Sequence, residues 1–180
     1  RKAHPLPTRA DYNAAVRALW AGARREEQYQ ALRTAEGSKP FYTVEGFPLY
    51  EELIYSSTWW DTLDWLAGGI VSRLLRSHRA IEARLIVWRT ADSLWGRRAA
   101  LLAHLKQKQA TNTALLAETI LLLASERDFF IRKAIGWALR DYSYCDPAWV
   151  EAFVATHADV LAPLSRREAL KVIERKRSRD

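Results

Sequence analysis

Sulfur is nearly absent from this chain, which has one cysteine, Cys145, and no methionine in 180 residues. A lone thiol excludes an internal disulfide, and no Cys/His spacing suits zinc or an iron–sulfur cluster. The four histidines (His4, His78, His104 and His157) share no ligand-like spacing, so neither a metal nor a cofactor is expected. No segment alternates polar and apolar residues as a strand does, and no Asn-Gly or Asp-Gly hairpin occurs, which argues against a sheet. The longest apolar run, Ala114 to Ala124, is interrupted by Glu118 and too short to span a bilayer. No secretory signal pattern opens the chain, so a soluble, cytoplasmic protein is expected. With Arg1 first and no Met, the natural protein is expected to begin upstream.

What is present is more informative. Apolar residues make up 49% and charged residues 27%, ordinary for a globular chain long enough to bury a core. Eight Trp is not ordinary, and some of them should serve a binding surface. The net charge of +7 is unevenly spread. Residues 70–108 hold nine Lys/Arg against Glu82 and Asp92, whereas residues 109–159 hold four against seven acidic groups. Residues 160–180 are basic again, with seven Lys/Arg against Glu168, Glu174 and Asp180. Clustered positive charge favours a polyanion such as DNA or RNA, the alternative being a solubilising basic face.

Apolar positions recur at helical spacing over residues 9–22, 25–36, 46–56, 59–75, 78–90, 93–108, 114–125, 128–144, 147–157 and 166–177. Asp92-Ser93 and Ser165 read as N-caps. The helices also repeat. Trp60, Trp95, Phe130 and Ser165 stand 35 residues apart. Four positions on come Asp64, Ala99, Ala134 and Ala169, and the two slots between carry Arg97, Arg98, Arg132, Lys133 and Arg167. Small residues at one slot allow close helix approach, and the cations at its neighbours predict a basic stripe. This pattern predicts an all-α fold, an α-solenoid of antiparallel helix pairs of HEAT or armadillo type, with inner helices lining a concave groove.

Two segments carry chemistry. Trp60 and Asp64 are one turn apart on one helical face. An aromatic plate can hold a cationic centre by about 0.5–2 kcal/mol, and a carboxylate at about 4 Å adds about 4 kcal/mol at an effective dielectric of 20. The alternative arrangement packs Trp60 in the core and pairs Asp64 with Arg97 or Arg98 of the next repeat. In FFIRKAIGWALRDY (129–142), Trp137 is flanked by Lys133 and Arg140 on one face. Aromatics interleaved with cations hold sugar, base and phosphate together. The alternative there is a core Trp beside solvated cations. Gly68-Gly69 reads as a kink or a close helix contact, and Cys145, beside Asp146-Pro147, as a turn residue.

At these residues the sequence resembles the DNA alkylation repair enzymes built from HEAT-like repeats, the AlkD type of alkylpurine DNA glycosylase. The likeness is carried by LYEELIYSSTWWDTLDWLA (49–67), WGRRAALLAHLKQK (95–108), ERDFFIRKAIGWALRDYSYCDPAWVEAFV (126–154) and LAPLSRREALK (161–171). By that resemblance Asp64 matches the catalytic Asp, and Trp60 and Trp137 match the two cleft tryptophans. Arg98 and Lys106 match positions on the DNA-binding face, and Arg140 is similarly placed. The resemblance implies hydrolysis of the N-glycosidic bond of cationic purines, such as 3-methyladenine and 7-methylguanine, without base flipping.

Such a base already carries positive charge and leaves without a general acid. One carboxylate, Asp64, then suffices to stabilise the oxocarbenium-like sugar, where most glycosidases need two. Lys133 and Arg140, with Arg98 and Lys106, would hold phosphates of double-stranded DNA, and no Lys is placed for lyase chemistry. A solenoid gripping duplex DNA is expected to work as a monomer, nucleoid-associated if bacterial, and the resemblance implies additional helices ahead of residues 1–40 that this sequence does not show. The whole of 1–180 is expected to be one repeat domain. A non-catalytic relative binding damaged or unusually shaped DNA, or a helical scaffold for a protein partner, is the alternative reading.

Overall fold

The computed structural model describes residues 8–178, so His4, Arg179 and Asp180 lie outside it. Among the described residues all regular structure is helical. Helices α1 (Arg9–Trp20) and α2 (Arg25–Gly37) come first. Helix α3 (Phe47–Tyr55) leads to α4 (Trp60–Trp65), which continues through a π-helical segment (Leu66–Val71) into α5 (Ser72–Ser77). Helices α6 (Glu82–Trp88) and α7 (Leu94–Leu102), α8 (Thr113–Leu123) and α9 (Phe129–Tyr142), and α10 (Pro147–Thr156) and α11 (Pro163–Arg177) follow.

Chain chemistry explains most boundaries. Thr8, Ser93, Asn112, Asp128 and Asp146 each turn a side-chain oxygen onto a backbone N–H of the helix they precede, satisfying donors that have no partner within the helix. Pro147 and Pro163 open their helices, where a missing N–H costs nothing. Ser165 is therefore not a cap. It sits inside α11, and its hydroxyl donates to the Arg132 carbonyl at 2.8 Å.

The second helix of each pair packs against the second helix of the next: α2 on α4, α4 on α7, α7 on α9, and α9 on α11. The result is an α-solenoid, and its buried apolar side chains form one cluster running from Tyr12 to Ile173. The 35-residue register is visible in the packing. Ala99, Ala134 and Ala169 are fully buried, and the Trp95 and Phe130 rings meet at 5.4 Å. Inter-repeat polar links share the spacing: Arg17 to Glu52, Gln107 to Ser72 and the Lys106 N–H to Asp141.

The expected basic stripe is only half present. Arg97 turns away to the loops, donating to the carbonyls of Ala91 and Asp92 at 2.7 and 2.8 Å and to Glu126 at 2.6 Å. Arg132 likewise donates to the Glu126 carbonyl at 2.9 Å. These two guanidiniums staple loops between repeats.

The helix expected over residues 93–108 stops at Leu102. Lys106 and Lys108 take left-handed backbone angles (φ 62° and 54°) that a right-handed α-helix does not accommodate. The helix expected over residues 59–75 is continuous but widens into a π turn at Leu66–Val71. Close packing accompanies it: a Cβ on Gly68 would lie 2.9 Å from Leu105 Cδ1. The segment is pinned from both sides. The Tyr42 hydroxyl donates to the Ile70 carbonyl at 2.5 Å, and the Gln107 amide donates to the Ser72 carbonyl. π turns often mark functional positions, and this one begins two residues after Asp64.

Candidate functional site

Helices α4, α7 and α9 present one face of their shared row to a cleft of about 490 Å³, lined by Trp60, Asp64, Arg98, Phe129, Phe130, Lys133, Trp137 and Arg140. Trp60, at the first position of α4, is 43% exposed and is not a core residue. Trp137, two turns into α9, is half-buried and packs against the apolar core while facing the cleft. The carboxylate of Asp64 lies on the same wall as Trp60.

Asp64 is held by Arg98. The guanidinium donates from Nε to Oδ1 and from Nη2 to Oδ2, both at 2.8 Å. Its third arm, Nη1, donates to the Phe130 carbonyl, and Cζ sits 5.8 Å from the Phe130 ring centroid. The Arg98 side chain is 3% exposed and that of Asp64 is 12% exposed. Arg98, matched above to a DNA-binding position, is thus buried, with each of its three side-chain nitrogens bonded within the protein. Its place is behind the carboxylate, fixing both oxygens, while the carboxylate keeps a small opening to the cleft.

Burial pushes the Asp64 carboxyl above its usual value, Arg98 pulls it down by hydrogen bonding and by charge, and Asp61 adds a smaller upward push. The net effect is upward, so burial outweighs the bidentate guanidinium. Its neighbour Asp61 is spent elsewhere, accepting from Tyr29 Oη at 2.5 Å and Arg25 Nη1 at 3.1 Å. Only the second carboxylate of the WWDTLD segment therefore reaches the cleft.

Lys133 and Arg140 flank Trp137 as their spacing predicts, but both also grip one carboxylate. Lys133 Nζ lies 2.8 Å from Glu168 Oε1, and Arg140 Nη1 pairs with Oε2. The Lys133 ammonium beside it holds the Glu168 carboxyl below its usual value.

Lys106 does not join the cleft. It lies past the end of α7, lining a separate cavity with Lys108, Asp141 and Tyr144, and its N–H donates to Asp141 Oδ2 at 2.7 Å. Three contributors escaped sequence reasoning: Phe129 and Phe130 as cleft walls, and Glu168 as the shared counter-charge. The 35-residue register did place Phe130 level with Trp60. Among the described residues, no group of three or more His, Cys, Asp or Glu is gathered to hold a metal. No described helix is long and apolar enough to cross a membrane.

Comparison with known proteins bears on the fold and the family. Among curated proteins, none matches the sequence. The fold is similar to that of a solved protein described as a predicted DNA alkylation repair enzyme from Enterococcus faecalis. The two share 30% identity at a TM-score of 0.83, over 91% of this chain and 76% of that one. The family model for the DNA alkylation repair enzymes matches residues 1–173. This chain therefore belongs to the DNA alkylation repair enzyme family and serves DNA repair.

Proposed function

We propose that the cleft is the active site of a monofunctional DNA glycosylase. It hydrolyses the N-glycosidic bond of cationic N3- or N7-alkylated purines while the base stays in the helix. The observation that carries this reading is one carboxylate, held on both oxygens by Arg98, in an open cleft that two tryptophans also line. As the bond to the charged base lengthens, positive charge develops on the deoxyribose. Asp64 stabilises that charge and positions the attacking water, and the faces of Trp60 and Trp137 add cation–π attraction. Water adds to C1′, the neutral alkylpurine departs with the bonding electrons, and a proton is released. The site needs no second carboxylate as acid because the leaving base is already charged.

Lys133 and Arg140 retain N–H groups beyond those used on Glu168 and stand where backbone phosphates would pass. Lys106, lining a separate cavity, would meet phosphates further along the duplex. The repeats are of HEAT-like type in this reading, and a single copy of the chain suffices to hold double-stranded DNA.

A second reading, a non-catalytic binder of damaged or unusually shaped DNA, is favoured by one observation: Arg98 neutralises much of the Asp64 charge. Product analysis separates the two. Incubation with methylated duplex DNA is expected to yield free 3-methyladenine or 7-methylguanine and abasic sites without strand nicks. DNA binding with no free base would favour the binder, and nicking without added base would refute the monofunctional assignment.

A further inference from the structure

Glu168 belongs to α11 and does not line the cleft, yet it organises two residues that do. Its side chain is 9% exposed, and each of its oxygens takes a different cation, Lys133 on one and Arg140 on the other. The two cations are seven residues apart on α9, two turns along the same face, with Trp137 between them. Gly136, on the neighbouring face, lets α11 approach closely enough for this. A Cβ there would lie 2.5 Å from Glu168 Cβ and 2.8 Å from the Ser165 carbonyl oxygen.

The arrangement leaves donors over. Among the described residues, Arg140 Nη1 is the only side-chain nitrogen of Arg140 with a protein acceptor, and Lys133 Nζ is paired with Glu168 alone. An ammonium has three donors and a guanidinium five. Most of these remain for a ligand, at positions that the shared carboxylate restricts.

We propose that Glu168 is a positioning residue that sets Lys133 and Arg140 as a preformed two-pronged grip for a DNA phosphate beside Trp137. Long cationic side chains lose rotamer freedom when a ligand immobilises them. A carboxylate that has already fixed both removes much of that cost, though it subtracts one charge from the grip. Preorganisation and net charge thus pull binding in opposite directions, and their balance can be measured. The inference rests on the glycosylase reading only in requiring duplex DNA as the ligand.

The test is the salt dependence of binding to a fluorescein-labelled DNA duplex for the parent chain, Glu168→Gln and Glu174→Gln. Glu174 is an exposed carboxylate on the same helix, so both variants gain the same unit of charge. If Glu168 positions the grip, Glu168→Gln binds several-fold more weakly than the parent, and its log–log salt slope shrinks by about one unit as a phosphate contact is lost. Glu174→Gln should bind no more weakly than the parent. Tighter binding and an equal or steeper slope for Glu168→Gln would overturn the proposal, leaving Glu168 as a counter-charge alone.

Thermal unfolding of the same samples identifies a variant that fails to fold. In that event Glu168→Asp, which keeps the charge and withdraws the carboxylate by one methylene, should show the same loss of slope. An unchanged slope there would overturn the proposal. A parent chain that does not bind duplex DNA would overturn both this inference and the proposed function.

Discussion

Replacing Arg98 with Leu tests the construction of the site more sharply than any change to the cleft surface. The substitution removes two hydrogen bonds of 2.8 Å from Asp64 and leaves a carboxylate 12% exposed without a counter-ion. Breaking a pair this buried costs about 3–5 kcal/mol. The cost should depend on pH with a definite sign. Burial already raises the Asp64 carboxyl above its usual value while Arg98 pulls it down, so losing Arg98 raises it further. A carboxyl raised in the folded state contributes stability that is fully present below its unfolded value and lost as pH rises through its folded value.

The variant should therefore be most destabilised at neutral pH and recover part of the loss on acidification, as Asp64 takes up a proton in the folded state first. The acid limb of alkylpurine release should move to higher pH by the same coupling. Denaturant unfolding at several pH values from 4 to 8, with release rates over the same range, measures both. A destabilisation equal at every pH, with an acid limb unmoved, would refute the argument that Arg98 acts through Asp64.

Gly136→Ala should destabilise by about 1–3 kcal/mol through overpacking of α9 against α11, read by thermal unfolding; a neutral effect would show that α11 can shift. Tyr42→Phe removes the hydroxyl on the Ile70 carbonyl and should cost about 1–3 kcal/mol in denaturant unfolding. No loss would mean that the π segment does not depend on that bond. His104 is buried with its value lowered from 6.5 to about 4, chiefly by desolvation. A depressed folded value gives stability that is present above pH 6.5 and lost as pH falls toward 4, amounting to about 3 kcal/mol. His104→Gln should flatten that part of the stability curve, and a curve as steep as the parent's would contradict the assignment.

The fold was legible because its signals are local and repeated. Apolar spacing marks the helices, and the slots of Ala99, Ala134 and Ala169 mark the close approach of the second helices. Helical spacing and family likeness single out Trp60, Asp64 and Trp137, and the three line one cleft. What escaped depends on tertiary closeness. The π turn follows from how Gly68 meets Leu105 and how Tyr42 reaches Ile70, partners 28 to 37 residues distant in sequence.

Left-handed lysines at 106 and 108 carry no sequence mark, so the end of α7 was misplaced. The cations of the two neighbouring slots diverge for a similar reason. Arg97 and Arg132 find carbonyls in the loops, and Arg98 finds Asp64. Spacing predicts the face of a helix, and the partner on the next helix decides what a charge on that face does.

The measurement that tests the central claim most directly is single-turnover release of methylated purines from duplex DNA by the parent chain and by Asp64→Asn, with DNA affinity measured in parallel. The account predicts release by the parent, a loss of about 10²-fold or more in the variant, and similar DNA affinity for both. Equal release by the two, or no release by a parent that binds the DNA, would contradict it.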